Sequence, residues 1–151
     1  MITPPTSSRS RAAALCVACL VLGLSATARG AAPRVHLEVT VALASTKGSG
    51  VDPRLQKMAR DFKAQNLSFT SFQVVGAPRA MDLSEGQSAS VDLPTGAKAE
   101  VTFSGLERGG RAKVRVKVPL ASGEYEIHAG GGIFVSAGSS GGGSLFVSIR
   151  R

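Results

Sequence analysis

The sequence predicts a mainly β protein, an antiparallel β-sandwich or partly open barrel with one amphipathic helix at about residues 53–64, after the first strand. Short segments in which apolar and polar residues alternate recur about every ten residues, which is typical of strands. Turn residues, glycine above all, separate these segments. Only one segment has apolar residues at the helical period. Because helices do not alternate with strands, a doubly wound nucleotide-binding sheet is disfavoured.

The first strand and the helix have the clearest patterns. Over residues 34–45 the apolar residues of one face are Val35, Leu37, Val39, Val41 and Leu43. After a turn at residues 47–50, Asp52 can cap a new helix, and Pro53 suits its first position. The apolar stripe of the helix consists of Leu55, Met58, Ala59 and Phe62. This stripe predicts that the helix lies on a sheet.

The remaining segments predict short strands. In residues 67–75 the apolar positions change phase, which indicates a bend or bulge near Ser71. Strands follow around residues 81–83 and 89–93, and residues 97–104 and 111–120 form a hairpin with a glycine-rich loop. Another strand contains Tyr125 and Ile127, after Ser122 and Gly123. The last two strands, residues 133–136 and 145–149, flank a glycine loop at residues 138–144.

The first 28 residues have the features of a signal peptide. Arg9 and Arg11 precede an apolar run over residues 12–24, which is too short to span a bilayer core of ~30 Å. The triplet Ala26-Thr27-Ala28 predicts cleavage after Ala28. A lipoprotein signal at Cys19 is a weaker interpretation because it would truncate the apolar run. We therefore expect residues 29–151 to form a single exported β domain without a transmembrane segment, in the periplasm or outside the cell.

Removal of this leader would remove both cysteines, Cys16 and Cys19. The processed chain would then have no disulfide, no cysteine metal ligand and no cysteine nucleophile. It would carry 16 basic and 10 acidic residues, a net charge of +6. Such an excess favours acidic partners, and for an exported protein these are an envelope protein or an anionic envelope polymer rather than nucleic acid.

No catalytic, cofactor or metal site is predicted. Gly138, Ser140 and Gly142 match the spacing of a serine-nucleophile elbow, but a strand follows them where that elbow requires a helix. The histidines, His36 and His128, have no second histidine or cysteine at ligand spacing. Glu124 and Glu126 share one strand face and are interpreted as solvated carboxylates.

Two groups of basic residues remain as candidates for binding. Arg54, Lys57, Arg60 and Lys63 occupy the predicted solvent side of the helix. The outward residues of one strand are Arg111, Lys113, Arg115 and Lys117, a row about 20 Å long. This row is interpreted either as a polyanion-binding surface or as charges that protect an edge strand from pairing. We expect Glu100 opposite Arg115 and Glu126 diagonally near Lys117, so that part of the row is neutralised.

Three segments resemble small uncharacterised exported β-domain proteins of Gram-negative bacteria. They are residues 50–55 (GVDPRL), residues 66–74 (NLSFTSFQV), and the closing strand, glycine loop and strand. The resemblance covers most of the predicted processed chain. Its motifs are structural, and it implies neither an activity nor any functional residue.

The function that the sequence favours is an exported, non-enzymatic structural or interaction module of the bacterial cell envelope. One alternative is a polyanion-binding protein that uses strand residues 111–117. The other is a small hydrolase that uses scattered Ser, Asp and Glu residues.

Overall fold

The computed structural model describes residues 30–151, so the predicted signal peptide and its cleavage site lie outside the described residues. The strands are β1 (Arg34–Ser45), β2 (Gly50–Val51), β3 (Ser71–Val74), β4 (Arg79–Ser84), β5 (Ser88–Asp92), β6 (Lys98–Leu106), β7 (Ala112–Val118), β8 (Ala121–Ile127), β9 (Gly132–Ser140) and β10 (Gly143–Arg150). A short 3-10 turn, Pro53–Leu55, leads into the helix α1 (Gln56–Ala64).

Two sheets pack face to face, which confirms the predicted β-sandwich. The large sheet has the order β2-β3-β1-β10-β9, and β4 also pairs with β1. The small sheet has the order β5-β6-β7-β8. Among the described residues every strand pairing is antiparallel except that of β2 with β3.

The long strand β1 separates two hydrophobic cores. One edge of β1 pairs with β4 and then with β3, and the other edge pairs with β10. Val35, Leu37 and Val39 are buried against the small sheet, as the alternation predicts. On the opposite face, Ala42 and Ala44 are completely buried beneath the helix. Their small side chains allow the helix to approach the sheet closely.

The helix begins with a capped 3-10 turn. The Asp52 carboxylate accepts a hydrogen bond of 2.9 Å from the backbone N–H of Arg54, and the Leu55 N–H donates to the Asp52 carbonyl at 2.8 Å. Leu55, Met58 and Phe62 are buried, which confirms the predicted helical phase. The helix therefore lies on the outer face of the large sheet, away from the small sheet.

A cluster of phenylalanines fills this second core. The ring of Phe62 lies 4.8 Å from Phe146, 5.7 Å from both Phe72 and Phe134, and 5.9 Å from Phe69, measured between ring centroids. Most of these contacts are edge-on, an arrangement that aromatic pairs favour. The one remaining phenylalanine, Phe103, lies in the core between the sheets.

The phase change in residues 67–75 arises where one element ends and the next begins at Ser71, and not from the predicted bend or bulge within one strand. Strand β3 begins only at Ser71, and the preceding residues form a connection from the helix. Asn66 adopts a left-handed conformation (φ 57°), and the Leu67 N–H donates to the Phe62 carbonyl, as in a helix C-cap. The apolar residues of the first phase therefore lie in the connection, and those of the second phase lie in strand β3.

The C-terminal hairpin is longer than predicted, and most of the predicted glycine loop is strand. Strands β9 and β10 are joined by only two residues, Gly141 and Gly142, which have φ values of 57° and 81°. Such a tight hairpin turn requires positive φ at both positions, which glycine adopts without strain. Ser140 thus lies at the end of a strand and is followed by a hairpin turn.

Candidate anion-binding surface

Three of the four cations that the sequence singles out lie in β7, and Arg111 directly precedes it. Strand β7 lies inside the small sheet between β6 and β8. The interpretation as edge protection is therefore wrong, because an interior strand has no edge to protect. The predicted partners also differ, since Glu100 lies opposite Lys117 and Glu126 lies opposite Lys113. The β7–β8 turn and a bulge in β6 between Phe103 and Gly105 set this register. A shift by two residues keeps the face of a side chain but changes its partner.

Glutamates on the neighbouring segments pair with most of this row. Arg111 lies 2.9 Å from Glu126, and Arg115 lies 2.6 Å from Glu124. The Lys113 ammonium is 3.5 Å from Glu124 and 3.8 Å from Glu107. In the part of the chain that the structure describes, no carboxylate lies within 4.0 Å of the Lys117 ammonium. Three of the four cations therefore already have acidic partners.

Glu124 is the centre of this network. The hydrogen bond from the Arg115 guanidinium is the main reason that the pKa of Glu124 lies below its ordinary value, and the charge of Lys113 adds to the effect. A carboxyl group of this kind stabilises the fold at pH values above its unfolded pKa. That contribution disappears as the pH falls through the lowered pKa of the folded state.

We expect the substitution Arg115→Gln to raise the pKa of Glu124 towards its ordinary value, because the substitution removes the strongest hydrogen bond to the ionised carboxylate. An NMR titration of the side-chain carboxyl carbon measures this pKa directly. Lys117→Gln removes a charge from the same strand without touching Glu124 and should change its pKa much less. Equal changes in the two variants would mean that the field of the whole strand, not the contact, lowers the pKa.

The positive charge of the described residues is concentrated in the segments that form the large sheet and the helix. Residues 85–127, which build the small sheet and its turns, contain six basic and six acidic side chains. Residues 30–84 and 128–151 contain nine basic and four acidic side chains. All ten acidic residues of the sequence fall in these ranges, so the small-sheet segment is neutral and the rest carries a net charge of +5.

The solvent side of the helix carries much of this excess. Its basic residues, which we call the helix face, are Arg54, Lys57, Arg60 and Lys63, and all four are exposed. Lys57 pairs with Asp61 at 3.0 Å along the helix. Among the described residues, no carboxylate forms an ion pair with Arg54, Arg60 or Lys63. The helix face is therefore less neutralised than β7.

Exposed apolar residues lie next to the two ends of the helix. Val51 precedes the 3-10 turn and is 40% exposed, and Leu67 follows the helix and is 41% exposed. Val51 also borders a shallow depression together with Gln56, Ala59 and Arg60 of the helix. The cations of the helix face thus have apolar side chains beside them that are accessible to a partner.

A narrow crevice separates the start of the helix from the loop that leads into β9. Three cationic side chains border it: Arg54 and Lys57 from the helix side, and Arg150 from the end of β10. The glycines at positions 130–132 form the opposite wall, and Ser148 also lines the crevice. The sequence separates Arg54 and Arg150 by most of the chain, so spacing alone could not have revealed this cluster.

The remaining sequence candidates lie apart from one another. His36 contacts Asp82 at 2.9 Å in an exposed pair across β1 and β4, and His128 is exposed near the end of β8. Ser140 borders an open groove of about 520 Å³ lined mainly by serines and glycines, together with Phe69. No histidine or carboxylate lines that groove. Residues 30–151 contain no group of three or more His, Cys, Asp or Glu side chains placed to hold a metal ion.

Comparison with known proteins identifies no relative: no family model, no curated protein and no solved structure matches the chain. Within residues 30–151, no helix is both long enough and apolar enough to cross a membrane.

Proposed function

We propose that this protein is an exported, non-enzymatic interaction module of the bacterial cell envelope that binds an anionic lipid surface through the helix face. The observation that supports this proposal most directly is the uneven distribution of charge. The small-sheet segment is neutral, whereas the segments that form the large sheet and the helix carry a net charge of +5. Anionic lipids attract basic residues near the membrane surface by about 1 kcal/mol for each Lys or Arg.

The apolar residues beside the helix favour a lipid surface over a soluble polyanion. Val51 and Leu67 can enter the headgroup region while the four cations contact the headgroups. The apolar stripe of the helix itself is already buried against the large sheet, with Met58 1% and Phe62 4% exposed. The helix would therefore lie on the lipid surface as part of the folded domain.

The polyanion surface on β7 is a weaker candidate. A ligand bound there would compete with Glu124 and Glu126 for their arginine and lysine partners. Those carboxylates would also repel a polyanion. Of the row, only Lys117 has no carboxylate within ion-pair distance among the described residues. A hydrolase has no specific observation in its favour.

Vesicle sedimentation with two charge-matched variants tests the proposal. The exported protein is mixed with phosphatidylcholine vesicles that contain or lack phosphatidylglycerol. Its intact mass, measured beforehand, checks cleavage after Ala28. We expect binding only to the anionic vesicles, and a steep loss of binding as salt shortens the Debye length to ~8 Å at 0.15 M. Replacing Arg60 and Lys63 by glutamine should weaken binding by about tenfold or more, since two surface cations are lost.

The matched control replaces Lys113 and Lys117 by glutamine, which removes the same charge from β7. This variant should bind nearly as well as the original protein. A larger loss in the control than in the helix variant would assign binding to β7. Absence of binding to any anionic vesicle would refute the proposal.

A further inference from the structure

We infer that the crevice between the 3-10 turn and the 130–132 loop is a binding site for a phosphomonoester group. The inference rests on the proposed function, because it names the chemical group on the lipid surface that the helix face would recognise. The residues that carry it are Arg54, Lys57 and Arg150, with Ser148 beside them.

The shape of the crevice suits a group that binds at its mouth. Its volume is about 20 Å³, which is room for little more than one oxygen-sized atom. A tetrahedral phosphate would therefore remain outside and direct one oxygen inwards. Its other oxygens would face the side chains of Arg54, Lys57 and Arg150, which line the crevice and are exposed.

The charge of the site matches a phosphomonoester better than a carboxylate. Lys57 is partly neutralised by Asp61 at 3.0 Å. Glu38 lies across the strands from Arg150 but does not form an ion pair with it within 4.0 Å. Among the described residues the two arginines are therefore without an ion-pair partner, and a phosphomonoester carries about −1.5 to −2 near neutral pH. Arginine also binds phosphate oxygens in pairs through its planar fork of donors.

Two hydroxyl residues lie beneath the crevice side of the helix. Thr40 and Ser148 face each other across β1 and β10, and they are only 8% and 5% exposed. They lie beside the apolar patch of this face that the helix covers, where a polar group has a cost unless it forms a hydrogen bond. The Ser148 hydroxyl, which lines the crevice, can donate a hydrogen bond to the inserted oxygen.

Glycine is required at position 132 to keep the crevice in this form. A Cβ atom on Gly132 would lie 2.9 Å from the Ile149 carbonyl oxygen and 3.0 Å from Cγ of Arg150. The backbone N–H groups of Gly130 and Gly131 already donate to the carbonyls of Arg151 and His128. The loop therefore shapes the site, and the side chains supply the positive charge.

Titration with inorganic phosphate, followed by NMR of the backbone amides, tests the site without a membrane. We expect the largest changes in chemical shift at the backbone amides of Gly131, Gly132 and Ser148. These changes should saturate at a phosphate concentration at which acetate changes the same shifts little. Replacing Arg54 and Arg150 by glutamine should weaken phosphate binding by about tenfold or more, because charge-assisted hydrogen bonds are lost. The matched control with glutamine at Lys113 and Lys117, which lie in β7 of the small sheet, should bind phosphate normally. Melting temperatures of both variants confirm that they fold.

A second arm distinguishes a lipid phosphate from free phosphate. Vesicles containing phosphatidic acid, which has a phosphomonoester, are compared with phosphatidylglycerol vesicles of equal surface charge. A preference for phosphatidic acid that disappears in the variant at positions 54 and 150 supports a lipid headgroup as the ligand. Phosphate binding without that preference supports a free phosphate compound.

The site is refuted if phosphate causes no saturable shifts near the crevice, or if both double variants lose phosphate binding equally. Vesicle binding that depends only on surface charge, without saturable phosphate binding, would refute the site and leave the proposed function intact. Phosphate binding without binding to any anionic vesicle would refute the proposed function and leave the site intact.

Discussion

Replacement of Phe62 by alanine is expected to lower the free energy of unfolding by about 3–5 kcal/mol, because truncation of a buried phenylalanine loses its burial and leaves a cavity. Phe62 is 4% exposed and contacts four other phenylalanine rings. Its removal would therefore open the centre of the core between the helix and the large sheet. Denaturant unfolding followed by circular dichroism measures the change.

The neighbouring substitution Lys63→Ala is the control, since Lys63 is exposed on the helix face. It should change the free energy of unfolding by no more than about 0.5 kcal/mol, as is usual for surface positions. Equal effects of the two substitutions would contradict the packing of the helix that the structure shows.

Phe103→Ala is expected to lower the free energy of unfolding by a similar amount, about 3–5 kcal/mol, because it truncates a buried side chain in the other core. Phe103 is completely buried and is the only phenylalanine in the core between the two sheets. Its truncation removes contacts that hold the small sheet against the large one. The milder substitution Phe103→Leu should cost less than about 1.5 kcal/mol, because it keeps most of the volume.

A double-mutant cycle checks that the two cores are independent. The clusters around Phe62 and Phe103 share no residue and lie on opposite faces of the large sheet. The effects of Phe62→Leu and Phe103→Leu should therefore add to within about 0.5 kcal/mol. A larger coupling would show that the two faces of the large sheet respond as one unit.

The structure changes which basic residues are the stronger candidates for binding. From the sequence, the four evenly spaced cations of residues 111–117 look more specific than the cations of the helix, which resemble an ordinary solvated face. In the fold, Glu124 and Glu126 of β8 lie beside the cations of residues 111–117. The helix α1 has a single acidic residue, Asp61, beside the four cations of the helix face, of which three lie in α1 and Arg54 in the 3-10 turn. The proposed lipid-binding surface therefore lies on the opposite side of the sandwich from β7.

The sequence alone predicted that Val35, Leu37 and Val39 of β1 and the apolar stripe of the helix face a core, and the structure confirms both. This is possible because a strand and a helix each place side chains on one face with a fixed period, so that the pattern of Val35, Leu37 and Val39 can be interpreted without knowing what covers them. The β-sandwich class followed from the same periodicity, together with the spacing of the turns. The sequence did not predict that Ala42 and Ala44, on the other face of β1, are buried beneath the helix.

Tertiary structure alone decided the partner of each charged residue. The residue opposite Lys113 on β8 depends on the β7–β8 turn. The residue opposite Lys117 on β6 depends on the bulge in β6 and on the strand order. None of these features produces a periodic pattern in the sequence. The crevice joins Arg54 to Arg150 only because the helix packs on β10 and β9. Local periodicity determines the face on which a side chain lies. How far a charged side chain is neutralised depends instead on its neighbours in space, and only the folded chain brings those neighbours together.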